Sequence, residues 1–133
     1  MQKYLHQMHP PPPHPRLSIA GLVDGELASV AIFRPVDLGG QPLYFIDALA
    51  VAVEYQRCGL GIATLNQVVD EVVRRAIESG RKAARLEAMV HEGNIRSQKM
   101  NERARFERAA DLDEDDHQGW RITIEVPTFD DIE

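Results

Sequence analysis

The run Gln56-Arg57-Cys58-Gly59-Leu60-Gly61 has the residue types of an anion cradle. Two glycines one residue apart let the main chain turn tightly and bring successive N–H groups against a ligand. A helix predicted to begin at Ile62 adds the partial positive charge of its N-terminus. The chemistry served is pyrophosphate binding. A second position with chemical capacity is Asp47, a lone carboxylate among Phe45, Ile46, Ala48 and Leu49. A carboxylate buried without a partner is costly. Asp47 is therefore either a strand residue satisfied by backbone or a basic partner, or a proton acceptor.

Other reactive residue types form weaker patterns. His6, His9 and His14 lack a matching Cys, Asp or Glu cluster that would fix metal geometry, so no metal is expected. Asp111, Asp113 and Asp115 alternate like a calcium loop. However, Asp116 stands where that loop needs glycine and Ile122 where it needs its closing glutamate, so residues 106–118 read as a solvated acidic loop. Cys58 has no neighbour to stabilise a thiolate and reads as a small loop residue that contributes its amide.

The elements that position these residues follow from the pattern. Residues 1–16, with four consecutive prolines at 10–13, read as an extended arm. Leu17–Val23 and Glu26–Phe33 flank Asp24-Gly25, a two-residue hairpin signal. Arg34-Pro35 and residues 37–42 read as a loop, and Tyr44–Val53 as a third strand. Ile62–Ser79 is predicted helical, with a stripe of Ile62, Leu65, Val69, Val72, Val73, Ala76 and Ile77 and a stop at Gly80. Asp70 with Arg74 and Glu71 with Arg75 have ion-pair spacing on its outer face. Ala84–Val90 alternates as a strand with Leu86, Ala88 and Val90 on one face. A basic helix over Ile95–Arg105 follows, carrying Arg96, Lys99 and Arg103. Trp120–Val126 reads as the last strand, followed by an acidic tail over 127–133.

At 133 residues the chain supports one core, expected over residues 17–126. No apolar run approaches the roughly 20 residues of a spanning helix, so no membrane role is expected and the cytoplasm is the default location. A net charge of −6 argues against nonspecific nucleic-acid binding. A single cysteine forms no internal disulfide.

Val51 through Ala63, with Gln56, Gly59 and Gly61 at its defined positions, resembles the acetyl-CoA-binding motif Q/R-x-x-G-x-G/A of the GNAT superfamily of acyl-CoA-dependent N-acyltransferases. Asn94, Ser97 and the stretch through Phe106 resemble the asparagine-led helix after that family's next strand. The resemblance implies an α/β fold: a mixed, largely antiparallel sheet flanked by helices, with central strands splayed around the cofactor. It implies pantetheine beside Leu49, Val51 and Val53, pyrophosphate on the amides of Arg57, Cys58, Gly59, Leu60, Gly61 and Ile62, and Asn94 and Ser97 facing the cofactor. Lys99 or Arg103 would reach a phosphate. The implied reaction is attack of a neutral amine on the acetyl thioester, with Asp47 where some members carry an acidic base.

Two departures accompany the resemblance. Asn101 stands where many members have a tyrosine general acid, and asparagine donates a hydrogen bond but no proton near neutral pH. Arg105 stands where a glycine usually precedes the aromatic residue. The family also normally places a strand and one or two helices before its hairpin, where only Met1–Arg16 stand here, so a second copy is expected to cover the cleft or sheet edge. The expected partners are acetyl-CoA, an amine acceptor of unspecified identity, and a homodimer mate. The other readings are a noncatalytic acyl-CoA-binding or regulatory module, and a partner-binding domain that has lost the cofactor.

Overall fold

The computed structural model describes residues 16–36, 40–110 and 116–126. The arm over 1–15, residues 37–39, residues 111–115 of the acidic loop and the tail over 127–133 lie outside the described residues. Strand β1 (Leu17–Val23) pairs antiparallel with β2 (Glu26–Val36) through the Asp24-Gly25 turn, where both residues have positive φ, 52° and 82°. Strand β3 (Leu43–Val51) pairs antiparallel with β2 and parallel with β4 (Ala83–His91). Between them run helix α1 (Leu60–Glu78) and, before it, a single 3-10 turn at Val53–Tyr55. Helix α2 (Ile95–Arg103) follows β4, and β5 (Glu107–Ala110) and β6 (His117–Glu125) complete a six-stranded sheet ordered β1-β2-β3-β4-β6-β5. The expected fold class, a mixed and largely antiparallel sheet with helices, is what forms.

Alternation decides the layers. Ala84, Leu86, Ala88 and Val90 of β4 join Trp120 of β6, and Leu65, Val68, Val72 and Ala76 of α1, in one buried cluster. Met100 and Ala104, in and just after α2, pack against it. Arg85, Glu87, Met89 and His91 therefore project from the opposite face, across from Thr123, Arg121, Gly119 and His117 of β6. The α1 stripe is rotated from the predicted one: Thr64, Leu65, Val68, Val72 and Ala76 are buried, whereas Ile77 is 53% exposed. The physical reason is polar. Thr64 Oγ1 donates to Leu60 O at 2.8 Å and lies 2.7 Å from Ser29 Oγ of β2, which seats the helix on that edge of its stripe.

Several boundaries moved for identifiable reasons. Arg34-Pro35 is strand, not loop, because β1 begins opposite Phe33. Pro35 therefore lies beyond the reach of β1, on an edge that needs no N–H. Strand β3 stops at Val51, where Ala52 N–H donates to Ala28 O and the chain turns into the 3-10 segment. Four residues of the expected acidic loop form the edge strand β5, too short to show a period. On α1, Arg75 meets Glu71 as predicted, at 3.1 Å, but Arg74 turns to Glu71 and Glu78 rather than Asp70.

Both helices end in the same device. After α1, Gly80 N–H donates to Ile77 O and Arg81 N–H to Ala76 O, with Gly80 at φ 68°. After α2, Arg105 N–H donates to Glu102 O and Phe106 N–H to Asn101 O, with Arg105 at φ 70°. These are Schellman caps, whose left-handed residue is usually glycine. Arg105 occupies that position at a conformational cost, and the turn delivers Phe106, 3% exposed, into the core.

Candidate functional site

Strands β3 and β4 are paired only from Leu43/Arg85 to Ile46/Ala88, although β3 continues to Val51 and β4 to His91. The two parallel strands thus part company, and the gap opens into a cleft of about 780 Å³. This volume falls in the ~300–1,000 Å³ range of small-molecule sites. Its walls include Ala88 and Val90 from the helix-bearing face and Met89 and His91 from the opposite one, so the cleft runs through the sheet.

At the parting point β3 carries a bulge. Ala48 pairs with Ile32 and Ile46 with Phe33, which leaves Asp47 as the extra residue. A bulge re-aims a side chain, and Asp47 lines the cleft. Its Oδ1 accepts from Arg34 Nε at 3.0 Å, and Arg16 Nε lies 3.6 Å from Oδ2, which is buried without a hydrogen bond. The guanidinium of Arg34 is in turn held over the Phe45 ring at 5.2 Å. Asp47 has the basic partners that a buried carboxylate requires, and it also faces the cleft.

The glycine loop lies at the other end of β3. Gly59 is the N-cap of α1 at φ 77°, no side chain caps the helix, and Arg57 is also left-handed at φ 69°. Left-handed residues in such a turn aim backbone N–H groups into a shared concavity. The first-turn amides of α1 therefore keep their donors for a ligand. The two glycines have different reasons. Gly59 supplies the backbone conformation. Gly61 supplies space, since a Cβ there would stand 3.1 Å from Met100 Sδ and 3.6 Å from Val51 Cγ2.

Gln56 ties the loop to its surroundings. Its Nε2 donates to Val51 O at 3.2 Å and its Oε1 accepts from Arg96 Nη1 at 3.3 Å, so one side chain bridges the end of β3 and the start of α2. Asn94 caps α2, its Oδ1 accepting from Ser97 N at 3.1 Å. Asn101, 3% exposed, spends a side-chain N–H on Ser97 O at 2.7 Å.

Of the residues singled out from sequence, Asp47, Leu49, Val51, Gln56, Arg57, Gly59, Gly61, Ile62, Asn94 and Ser97 line this one cleft. Val53 stands outside it, 83% exposed on the 3-10 turn, and Cys58 is exposed with its Sγ 3.8 Å from Gln56 O. Leu60 turns toward Gly21 of β1. Lys99 and Arg103 line the cleft together with Arg96, which sequence reasoning noted only as a charge. The spacing 96, 99, 103 is a single helical face, a signal that was available. Among the described residues none of these three cations has an acidic partner. His91 and His117 also line the cleft, and they were missed because only the β4–β6 register brings them together.

A helix N-terminus without a side-chain cap, three cations on one helix face with no acidic partner among the described residues and an apolar slot between strands together suit a long ligand with an anionic end. Among the described residues no group of three or more metal-ligating side chains converges. None of the described helices is long and apolar enough to cross a membrane.

The model of the acetyltransferase (GNAT) family matches residues 2–106. Among solved structures, the ribosomal-protein-S18-alanine N-acetyltransferase of Escherichia coli is similar at 21% identity and a TM-score of 0.66, covering 96% of this chain and 78% of its own. Arabidopsis thaliana NAA60 in complex with acetyl-CoA is similar at 16% identity and a TM-score of 0.62, with 95% and 84% covered. The GNAT domain of S. lividans PAT reaches a TM-score of 0.65 at 17% identity, with 93% and 69% covered. At these identities the likeness is one of fold. No curated protein matches the sequence.

Proposed function

The chain belongs to the acetyltransferase (GNAT) family, and from that premise we propose that it moves an acetyl group from acetyl-CoA to an amine by direct attack. The observation that carries this reading is the parting of β3 and β4 into a cleft whose far end meets the uncapped N-terminus of α1. In this reading the pyrophosphate rests on the amides of the Arg57–Ile62 segment, where the helix charge and backbone donors coincide. Arg96, Lys99 and Arg103 neutralise further phosphate charge. Leu49 and Val51 flank the pantetheine, whose amide groups meet the edge of β3 left unpaired beyond Ile46.

The thioester then lies at the bulge, with Asp47 beside it. The Asp47 carboxylate receives the N–H of the incoming amine, which requires the buried Oδ2 to turn into the cleft that the residue lines. As the amine nitrogen bonds to the thioester carbonyl carbon, the carbon–sulfur bond breaks and the thiolate leaves. Asn101 supplies no proton, and with a thiol pKa of about 8.5 the leaving thiolate is protonated from water. Positioning and backbone polarisation carry most of the rate.

A second reading, a noncatalytic acyl-CoA-binding module, is favoured by the commitment of the Asn101 amide to Ser97 O. One pair of measurements separates the readings. Calorimetric titration with acetyl-CoA is expected to show binding under both. Thiol release over a panel of primary amines is expected above background for the wild type and reduced for Asp47→Asn. Binding without turnover selects the module, and no binding defeats both.

A further inference from the structure

The two edges of the sheet are built differently. Strand β5 spans four residues, carries Glu107 and Arg108, and is out of step with β6 between Arg108 and Ala110. Shortness, charge and irregularity keep an edge from pairing further. The other edge, β1, runs over seven residues, Leu17–Val23, with no charge and no proline. The irregularity between β1 and β2 puts its extra residue, Ala28, on β2, so β1 itself is unbroken. Among the described residues no strand pairs with its outer side. Exposed Ser18, Ala20 and Leu22 alternate with half-buried Leu17, Ile19 and Val23. Leu22 and its cross-strand neighbour Leu27 are 64% and 39% exposed.

This strand is complementary to a second copy of itself. A twofold axis normal to the sheet runs two β1 strands antiparallel and keeps the helices of both copies on one side, so residues facing across it are both odd-numbered or both even-numbered. Centred on Ala20, the axis sets Leu17 against the partner's Val23, Ile19 against the partner's Gly21 and Ser18 against the partner's Leu22. Half-buried apolar residues then meet on the helix-bearing face, and a bulky side chain stands beside a residue that has none. Gly21 is small for a reason within its own chain, since a Cβ there would collide with Ser29 Oγ. The same register sets Arg16, whose side chain remains 30% exposed beside Asp47, across from the exposed Asp24 of the hairpin turn. A neutral strand with a cation before it and Asp24 and Glu26 after it matches the charge of its own antiparallel image. Other centres lose the match. An axis on Ile19 puts Arg16 against Leu22 and Ile19 against itself, and one on Gly21 puts Leu17 against Gly25 in the turn.

We propose that β1 is a homodimer interface, in which two copies pair edge to edge about Ala20 to form one continuous sheet. The proposal is independent of the acetyltransferase reading. The interface adjoins the start of α1, because a Cβ on Gly21 would stand 3.6 Å from Leu60 Cδ1.

The experiment follows the mass of the full chain by sedimentation equilibrium over a concentration series, and wild type is expected to reach twice the chain mass. Ala20→Lys, at an exposed position, sets two like charges directly opposite each other. Its dissociation constant is expected to rise by about tenfold or more while its far-UV spectrum is unchanged. The second arm is a crosslink in a Cys58→Ser background. Ala20→Cys is expected to form an interchain disulfide on mild oxidation, because residues directly opposite in antiparallel strands have Cα atoms about 4.5–5.5 Å apart, within disulfide reach. Ser18→Cys is expected to form none, because its two copies lie about 13 Å apart along the strands. Wild type that stays monomeric at every concentration, folded Ala20→Lys with an unchanged dissociation constant, or Ser18→Cys crosslinking as readily as Ala20→Cys would each overturn the proposal. A monomer in which every β1 amide is slow to exchange hydrogen would overturn it in favour of residues 1–15 as the occupant of the edge.

Discussion

Replacing each loop glycine by alanine separates the two reasons for which glycine is present. At Gly59 the added Cβ meets nothing within 4 Å, so the whole cost is the left-handed backbone at φ 77°. This strain is worth about 1–2 kcal/mol for a non-glycine residue. Offset by about 0.5–1 kcal/mol of unfolded-state entropy, it leaves a net loss of about 0.5–1 kcal/mol, or roughly 3 °C in Tm. If the loop relieves the strain by turning one amide away from the pyrophosphate, one hydrogen bond to a charged acceptor is lost. Such a bond is worth about 1.5–3 kcal/mol, or a tenfold to hundredfold weakening of acetyl-CoA binding. At Gly61 the backbone is helical and the contact is the thioether of Met100 at 3.1 Å, the end of a flexible side chain. Met100 yields by a few tenths of an ångström, and stability stays within about 0.5 kcal/mol because alanine favours the helix. The displaced Met100 intrudes on the cleft, however, and binding weakens. Thermal melts and calorimetry on both variants read these quantities. Gly59→Ala with wild-type Tm and wild-type affinity would refute the assignment of the left-handed turn to ligand binding.

Other expectations follow from single contacts. Arg105→Gly removes the left-handed strain after α2 and raises stability by about 0.5 kcal/mol, read as a Tm gain of about 2 °C; a loss would show that the Arg105 side chain is stabilising. Ser29→Ala and Thr64→Val each destabilise, and their double-mutant cycle gives a coupling of about 1 kcal/mol for the 2.7 Å hydroxyl contact. The hydrogen bond from Arg74 lowers the Glu71 pKa below 4.5. A depressed folded-state pKa contributes stability above the unfolded value that is lost as pH falls through the folded one. Glu71→Gln therefore costs no more than about 0.5 kcal/mol at pH 7, and denaturant midpoints of variant and wild type converge below pH 4.5.

The sequence by itself determined the local devices. The Asp24-Gly25 hairpin, the Gly80 stop, the alternation of Leu86, Ala88 and Val90 and the glycine loop before α1 all appear where they were read. Each is fixed by the φ, ψ and burial preferences of a few adjacent residues. The acetyltransferase family was legible for the same reason, since its motif is contiguous. Tertiary structure alone decided what depends on register. The bulge that aims Asp47 exists because β2 and β3 are paired out of step at Ile32/Phe33. The cleft exists because β3 and β4 stop pairing at Ile46/Ala88 while both strands continue. His91 and His117, 26 positions apart, meet only through the β4–β6 ladder. Arg74 had two acidic neighbours at helical spacing besides Asp70, and only the packed helix chose between them. Such choices are made by pairings between distant segments, which no local preference encodes, and the candidate site is built largely from them.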